Sequence, residues 1–124
     1  MTKPNIYRYD LCDYNSNRSI REAKQMRWLE MIKLRTSGQK LDDLVDEFIR
    51  PLTKDTGEAG LLAIQVYYHA TFDTDLSIHI HWDTTHESVQ KTRLGSCIVN
   101  TLENFGLIYH TLWIGEVDNS KSTI

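Results

Sequence analysis

The strongest constraint on the fold is the run L-S-I-H-I-H-W-D over 76–83. Leu76, Ile78, Ile80 and Trp82 fall on one face and Ser77, His79, His81 and Asp83 on the other, the period of two that marks a half-buried β-strand. Such a strand needs a paired neighbour and a layer to cover its apolar face. Residues 61–72 supply the neighbour, with Leu62, Ile64, Val66, Tyr68, Ala70 and Phe72 as the more apolar set. A three-residue turn at Asp73, Thr74 and Asp75 makes opposed residue numbers sum to 148, which sets His69 opposite His79 and Tyr67 opposite His81.

Two segments supply the covering layer. Between Leu41 and Leu52 apolar residues fall at 41, 44, 45, 48, 49 and 52, the stripe of an amphipathic helix, with Pro51 bending it or marking its last turn. Val89, Leu94, Cys97, Ile98, Thr101, Leu102 and Phe105 form a second stripe, and Gly106 is placed to stop it in a left-handed conformation. Leu107–Val117 is rich in β-branched and aromatic residues and reads as the last strand. The run over 26–36 fits either a strand with Trp28, Ile32 and Leu34 on one face or a helix continuing from Ile20 and Ala23. Residues 1–25 form an N-terminal arm, 26–117 the domain and 118–124 a frayed tail.

A chain of 124 residues with 40% hydrophobic and 25% charged content has material for one packed domain. Its net charge of −3 gives no positive field for phosphate backbones, so nucleic acid is not an expected partner. Cys12 and Cys97 show neither redox-motif nor zinc-site spacing. The N-terminus carries no apolar signal run and no segment has the apolar length of a membrane span, so a cytoplasmic protein without membrane contact is expected.

With 26–36 as a strand the order is βαββαβ, an α+β ferredoxin-like domain with an antiparallel four-stranded sheet. The stretch from Leu34 through Glu87, with its S-G-Q turn, the helix L-D-D-L-V-D-E-F-I-R-P-L, Gly60, a long hairpin and H-I-H-W-D, resembles the antibiotic-biosynthesis-monooxygenase-like group of dimeric α/β-barrel proteins. About half the chain carries this resemblance. It implies a homodimer whose sheets press together into a barrel, and a ligand pocket between the sheet and helices of each protomer. Some members of that group oxygenate polycyclic aromatic substrates without metal or flavin, and others degrade haem. Trp82 matches a Trp the group often carries at the end of the third strand. The group commonly has a Glu two residues earlier, where this chain has Ile80. Haem-degrading members carry an Asn on the first strand and a His on the second helix; 26–36 contains no Asn and 88–105 no His, which disfavours that activity.

The candidate ligand pocket is a helix-side aromatic wall of Trp82, Tyr68, Trp28 and Tyr109, joined by Trp113, suited to a flat apolar or aromatic molecule. No cofactor is required by it. The second candidate is a divalent-metal site from His69, His79 and His81, brought together across the hairpin. The same His face also suits the space between the sheets of a dimer, where imidazoles bind anions or respond to pH. No nucleophile–base pair or phosphate-binding loop is legible. Two functions follow as expectations: a small-molecule-binding protein of the barrel type, extending to a cofactor-independent oxygenase on an aromatic substrate, and a non-catalytic dimeric structural or sensing module.

Overall fold

A computed structural model describes residues 24–54 and 56–116; the arm up to residue 23 and the tail lie outside the described residues, and Gln25, assigned to the arm, opens the first strand. Strand β1 is Gln25–Thr36, so the segment open to two readings is extended. It is followed by helix α1, continuous over 41–53, strand β2 (Leu61–Tyr68), strand β3 (Asp75–Thr85), helix α2 (Arg93–Leu102) and strand β4 (Gly106–Ile114). The antiparallel sheet has the order β2-β3-β1-β4, which is the expected α+β ferredoxin-like arrangement.

The buried layer lies between one sheet face and the two helices. Trp28, Ile32 and Leu34 from β1 and Leu76, Ile78, Ile80 and Trp82 from β3 meet Leu41, Leu44, Val45 and Ile49 of α1 and Leu94, Ile98 and Leu102 of α2. The helix periodicity at 41–52 is therefore the core stripe. Helix α1 widens into a π turn over Val45–Ile49 immediately before Pro51. Pro51 has no N–H for the carbonyl four residues back and its ring crowds that carbonyl, and a wider turn relieves both. Cys97 departs from the second stripe and is exposed, because α2 starts at Arg93 and puts Leu94, Ile98 and Leu102 inward.

The hairpin register differs from expectation. Gln65 lies opposite His79 and Ala63 opposite His81, so opposed numbers sum to 144. The cause is a six-residue connection over 69–74 instead of three. His69 Nδ1 accepts the backbone N–H groups of Thr71 at 2.9 Å and Phe72 at 3.0 Å, and the His69 N–H donates to the Asp75 carbonyl. Both sums are even, so the faces of β3 are as the alternation predicts although every cross-strand partner changes. A bulge between Leu61 and Ala63 breaks the alternation of β2 and leaves Leu62 exposed while Leu61 packs on the core.

Two glycines are required by the backbone. Gly60, at φ +84, lets the chain enter β2 in a left-handed conformation against Asp83 and Thr84. Gly106 is extended at φ 161, contrary to the left-handed stop expected of it, and its missing side chain admits the Arg35 carbonyl where β4 begins beside β1.

Arg35 at the end of β1 clasps Asp75 at the start of β3, with Nε 3.2 Å from Oδ1 and Nη2 3.2 Å from Oδ2. The hydrogen bond from Arg35 holds the Asp75 carboxyl below its ordinary 3.8. A depressed carboxylate contributes stability above its unfolded-state value and loses it as pH falls through the folded-state value. Asp75→Asn is expected to be less stable than the parent at neutral pH, with the gap closing as pH falls below the ordinary carboxylate range. Urea midpoints measured across that range check this.

Candidate functional site

Glu30 is completely buried in the middle of the apolar face of β1. Its carboxylate accepts four hydrogen bonds. Oε1 takes the Trp82 indole N–H at 3.1 Å and the Thr92 hydroxyl at 2.6 Å; Oε2 takes the Thr92 backbone N–H at 2.9 Å and His110 Nε2–H at 2.6 Å. All lone pairs of the carboxylate are thus used, the condition under which a buried charge is tolerated. Trp82 and His110 are diagonal neighbours of Glu30 on the flanking strands, since Ile80 and Leu112 stand directly opposite it. Position 80 is where the barrel resemblance leads one to expect a Glu; the carboxylate stands across the ladder instead.

The contact with α2 is a capping box built from two segments. Thr92 is the N-cap of α2, and its hydroxyl accepts the Gly95 N–H at 2.9 Å. In a local capping box the residue at Gly95's position is a Glu or Gln that reaches back to the N-cap N–H. Here Glu30 from β1 makes that return bond, and a Cβ on Gly95 would run into its carboxylate. The carboxylate also lies at the positive end of the helix, where negative charge is favoured.

The expected aromatic wall does not assemble. Trp28 and Trp82 stack with ring centroids 5.8 Å apart, and each is 3% exposed; they are core. Trp28 donates its indole N–H to Thr84 Oγ1 at 2.8 Å. Tyr109 and Trp113 point to the opposite, open face of the sheet, because β4 directs Ile108, His110 and Leu112 towards the helices. Tyr68 stands apart at the sheet edge, beside the start of α1.

Tyr68 lines a cleft of about 440 Å³ between 38–42 and the 69–74 connection. Lys40, Asp42, His69 and Asp73 also line it, so it is a mixed site and not an apolar one. Partial burial, then the neighbouring Asp42 carboxylate, push the Tyr68 phenol above its ordinary 10.0 and keep it protonated. Because His69 Nδ1 accepts two backbone N–H groups, its ring proton sits on Nε2 in the neutral form.

The expected three-imidazole site does not form either. His69 caps the hairpin connection, whereas His79 and His81 sit along β3 with ring centroids 6.4 Å apart. Among the described residues no group of three or more His, Cys, Asp or Glu is placed to hold a metal ion. His79 Nε2 is 2.9 Å from Ser77 Oγ and its ring packs on Tyr67 at 4.6 Å. His81 Nε2 is buried and has no hydrogen-bond partner.

No protein-family model matches the chain, and no curated protein matches it in sequence. Among solved structures it is similar to a conserved protein of unknown function from Bacteroides thetaiotaomicron, described as a possible oxidoreductase, at 12% identity and TM-score 0.56, covering 73% of this chain and 98% of that one. It is also similar to an ethyl tert-butyl ether d (ethd) family protein from Bacillus halodurans, at 19% identity and TM-score 0.51, covering 73% of this chain and 99% of that one. At these identities the likeness is one of fold. No helix among the described residues is long and apolar enough to cross a membrane.

Glu30 and His110 were missed by the sequence reading, although an acid amid Trp28, Ile32 and Leu34 was a signal of a buried partner. Glu30→Ala strands the indole N–H, the Thr92 donors and the His110 ring in an apolar layer, and is expected to destabilise the fold by about 3–5 kcal/mol. Glu30→Gln, which retains one acceptor oxygen, is expected to lose less. Urea denaturation of both variants decides it; equal stability with the parent would remove Glu30 from its structural role.

Proposed function

We propose that the protein is a homodimeric small-molecule-binding protein of the monooxygenase-like dimeric barrel type. Its ligand is a planar aromatic molecule with polar substituents, bound in the Tyr68 cleft. The observation that carries this reading is the cleft itself. At about 440 Å³ it lies within the usual range of ligand sites, and it sets one aromatic ring among a Lys, an imidazole N–H and two carboxylates. The ring gives stacking area, while Lys40 and His69 suit an acidic or hydroxyl substituent. The apolar ligand wall expected around Trp82 is replaced by this more polar site, because both indoles are consumed in the core. An oxygenase activity draws support from the fold likeness alone, as Trp82 is buried and its N–H is committed to Glu30.

The homodimer rests on the open sheet face. It presents Leu107, Tyr109, Trp113 and Tyr67, with Tyr109 59% and Trp113 55% exposed, a larger apolar patch than isolated surface residues make. The same face carries four shallow clefts of about 280, 270, 250 and 90 Å³. Projections and hollows on one surface are what a self-complementary two-fold contact needs. Four strands about 4.8 Å apart and about 30 Å long give roughly 570 Å² in projection. Side-chain relief brings this near the ~800 Å² per partner of an ordinary stable interface.

Two measurements test the proposal. 2-Naphthoate and 2-naphthol titrated into isotope-labelled protein are expected to shift the amide signals of 38–42 and 68–74, and Tyr68→Ala to weaken binding about tenfold or more. Shifts confined elsewhere, or unchanged affinity in Tyr68→Ala, would overturn the ligand site. Sedimentation at about pH 8 is expected to give a dimer that Tyr109→Asp together with Trp113→Asp converts to a folded monomer, since the contact then loses two aromatic anchors per protomer and must desolvate a carboxylate in place of each. A monomeric parent would overturn the dimer.

A further inference from the structure

Resting on the dimer just proposed, we infer that its association is switched by pH through His79 and His81, the imidazole pair at the centre of the open face. The protein would pair in neutral conditions and separate in mildly acidic ones.

The two rings project from alternate positions of β3, an inner strand of the sheet, so a second sheet laid on this face covers both. They are flanked on β2 by Gln65 and Tyr67 and on β1 by Leu29 and Met31, none of which is charged at neutral pH. The ionisable groups of the face lie around them: Arg27, Lys33 and Arg35 on β1, Asp75 and Asp83 on β3, Tyr67 on β2 and Tyr109 on β4. Three cations against two anions leave one net positive charge while the imidazoles are neutral. Asp75 is already bound to Arg35, so it cannot compensate new charge. Protonating both imidazoles raises the face to three positive charges, and a two-fold contact sets that face against its own copy.

His79 already has reason to stay neutral. Burial, and then the neighbouring His81, hold His79 below its ordinary 6.5, and His79 is tied to Ser77 and packed at a tilt against Tyr67. The buried Nε2 of His81 has no hydrogen-bond partner. It is a polar group out of water with no partner, whichever tautomer it holds, which is the costly case. A covering copy withdraws both rings further from solvent, so protons bind the separated protomers more readily than the pair. Linkage then requires dissociation to strengthen as pH falls, by at most about four protons per dimer.

Sedimentation velocity of the full chain at about pH 8 and about pH 5.5, at constant ionic strength, tests this. The expected result is a dimer at the higher pH and a dissociation constant raised tenfold or more at the lower, with far-ultraviolet circular dichroism unchanged. His79→Gln with His81→Gln is expected to stay dimeric at both. A dimer of unaltered affinity at both values overturns the switch and leaves the dimer standing; a monomer at both overturns the dimer and the switch with it. Loss of the dichroism at the lower pH, or an undiminished response in the double variant, also overturns the switch. Should the double variant not fold, the imidazole proton resonances of the parent decide it. His79 and His81 must titrate at lower pH in concentrated, dimeric samples than in dilute ones, and equal titration in both overturns the switch.

Discussion

The carboxylate of Glu30 ties three separate parts of the chain into one layer. Without it, β1, β3 and β4 would still form a ladder and α2 would still bury Leu94, Ile98 and Leu102, but nothing directional would fix the start of that helix over the sheet. Apolar contacts are tolerant of sliding, whereas four hydrogen bonds to two oxygens are not. The arrangement also explains Gly95, otherwise an unfavourable residue in the first turn of a helix. The helix gives up a side chain there so that a group from the sheet can do the capping, and the cap thereby becomes a tertiary contact.

This use of a charge in the core has a consequence for chemistry. A carboxylate next to an imidazole and an indole resembles a proton-transfer site in its composition. Its geometry is that of a closed network: each oxygen accepts two bonds, and the two tryptophans beside it stack on one another. A group with no lone pair to offer cannot abstract a proton without first breaking the contact that holds α2. Ligand recognition is therefore better sought where polar groups converge on open volume, at the edge cleft by Tyr68, than where they converge on each other.

What the sequence disclosed follows the range of the interactions. The alternation at 76–83 and the stripe at 41–52 are local signals, set by the period of one element, and both survive intact in the fold. The turn did not, because its length depends on His69 accepting two N–H groups from its own loop, a choice that composition does not display. The error in register was even, so it exchanged partners without exchanging faces. On β4 the apolar and aromatic residues occur on both faces, and periodicity could not say that Ile108 and Leu112 turn in while Tyr109 and Trp113 turn out. Glu30 is the extreme case. Its partners lie 52, 62 and 80 positions along the chain, and each is an ordinary residue in its own segment.

The two faces of the sheet differ in how completely their polar groups are satisfied. On the helix side a full charge is buried and every lone pair is answered. On the open side an imidazole nitrogen is withdrawn from solvent and left unanswered, among tyrosines and a tryptophan that a solitary domain has no reason to expose. A fold able to build the first arrangement is not short of means to correct the second. The open face is therefore the less satisfied of the two, and His79 and His81 stand at its centre.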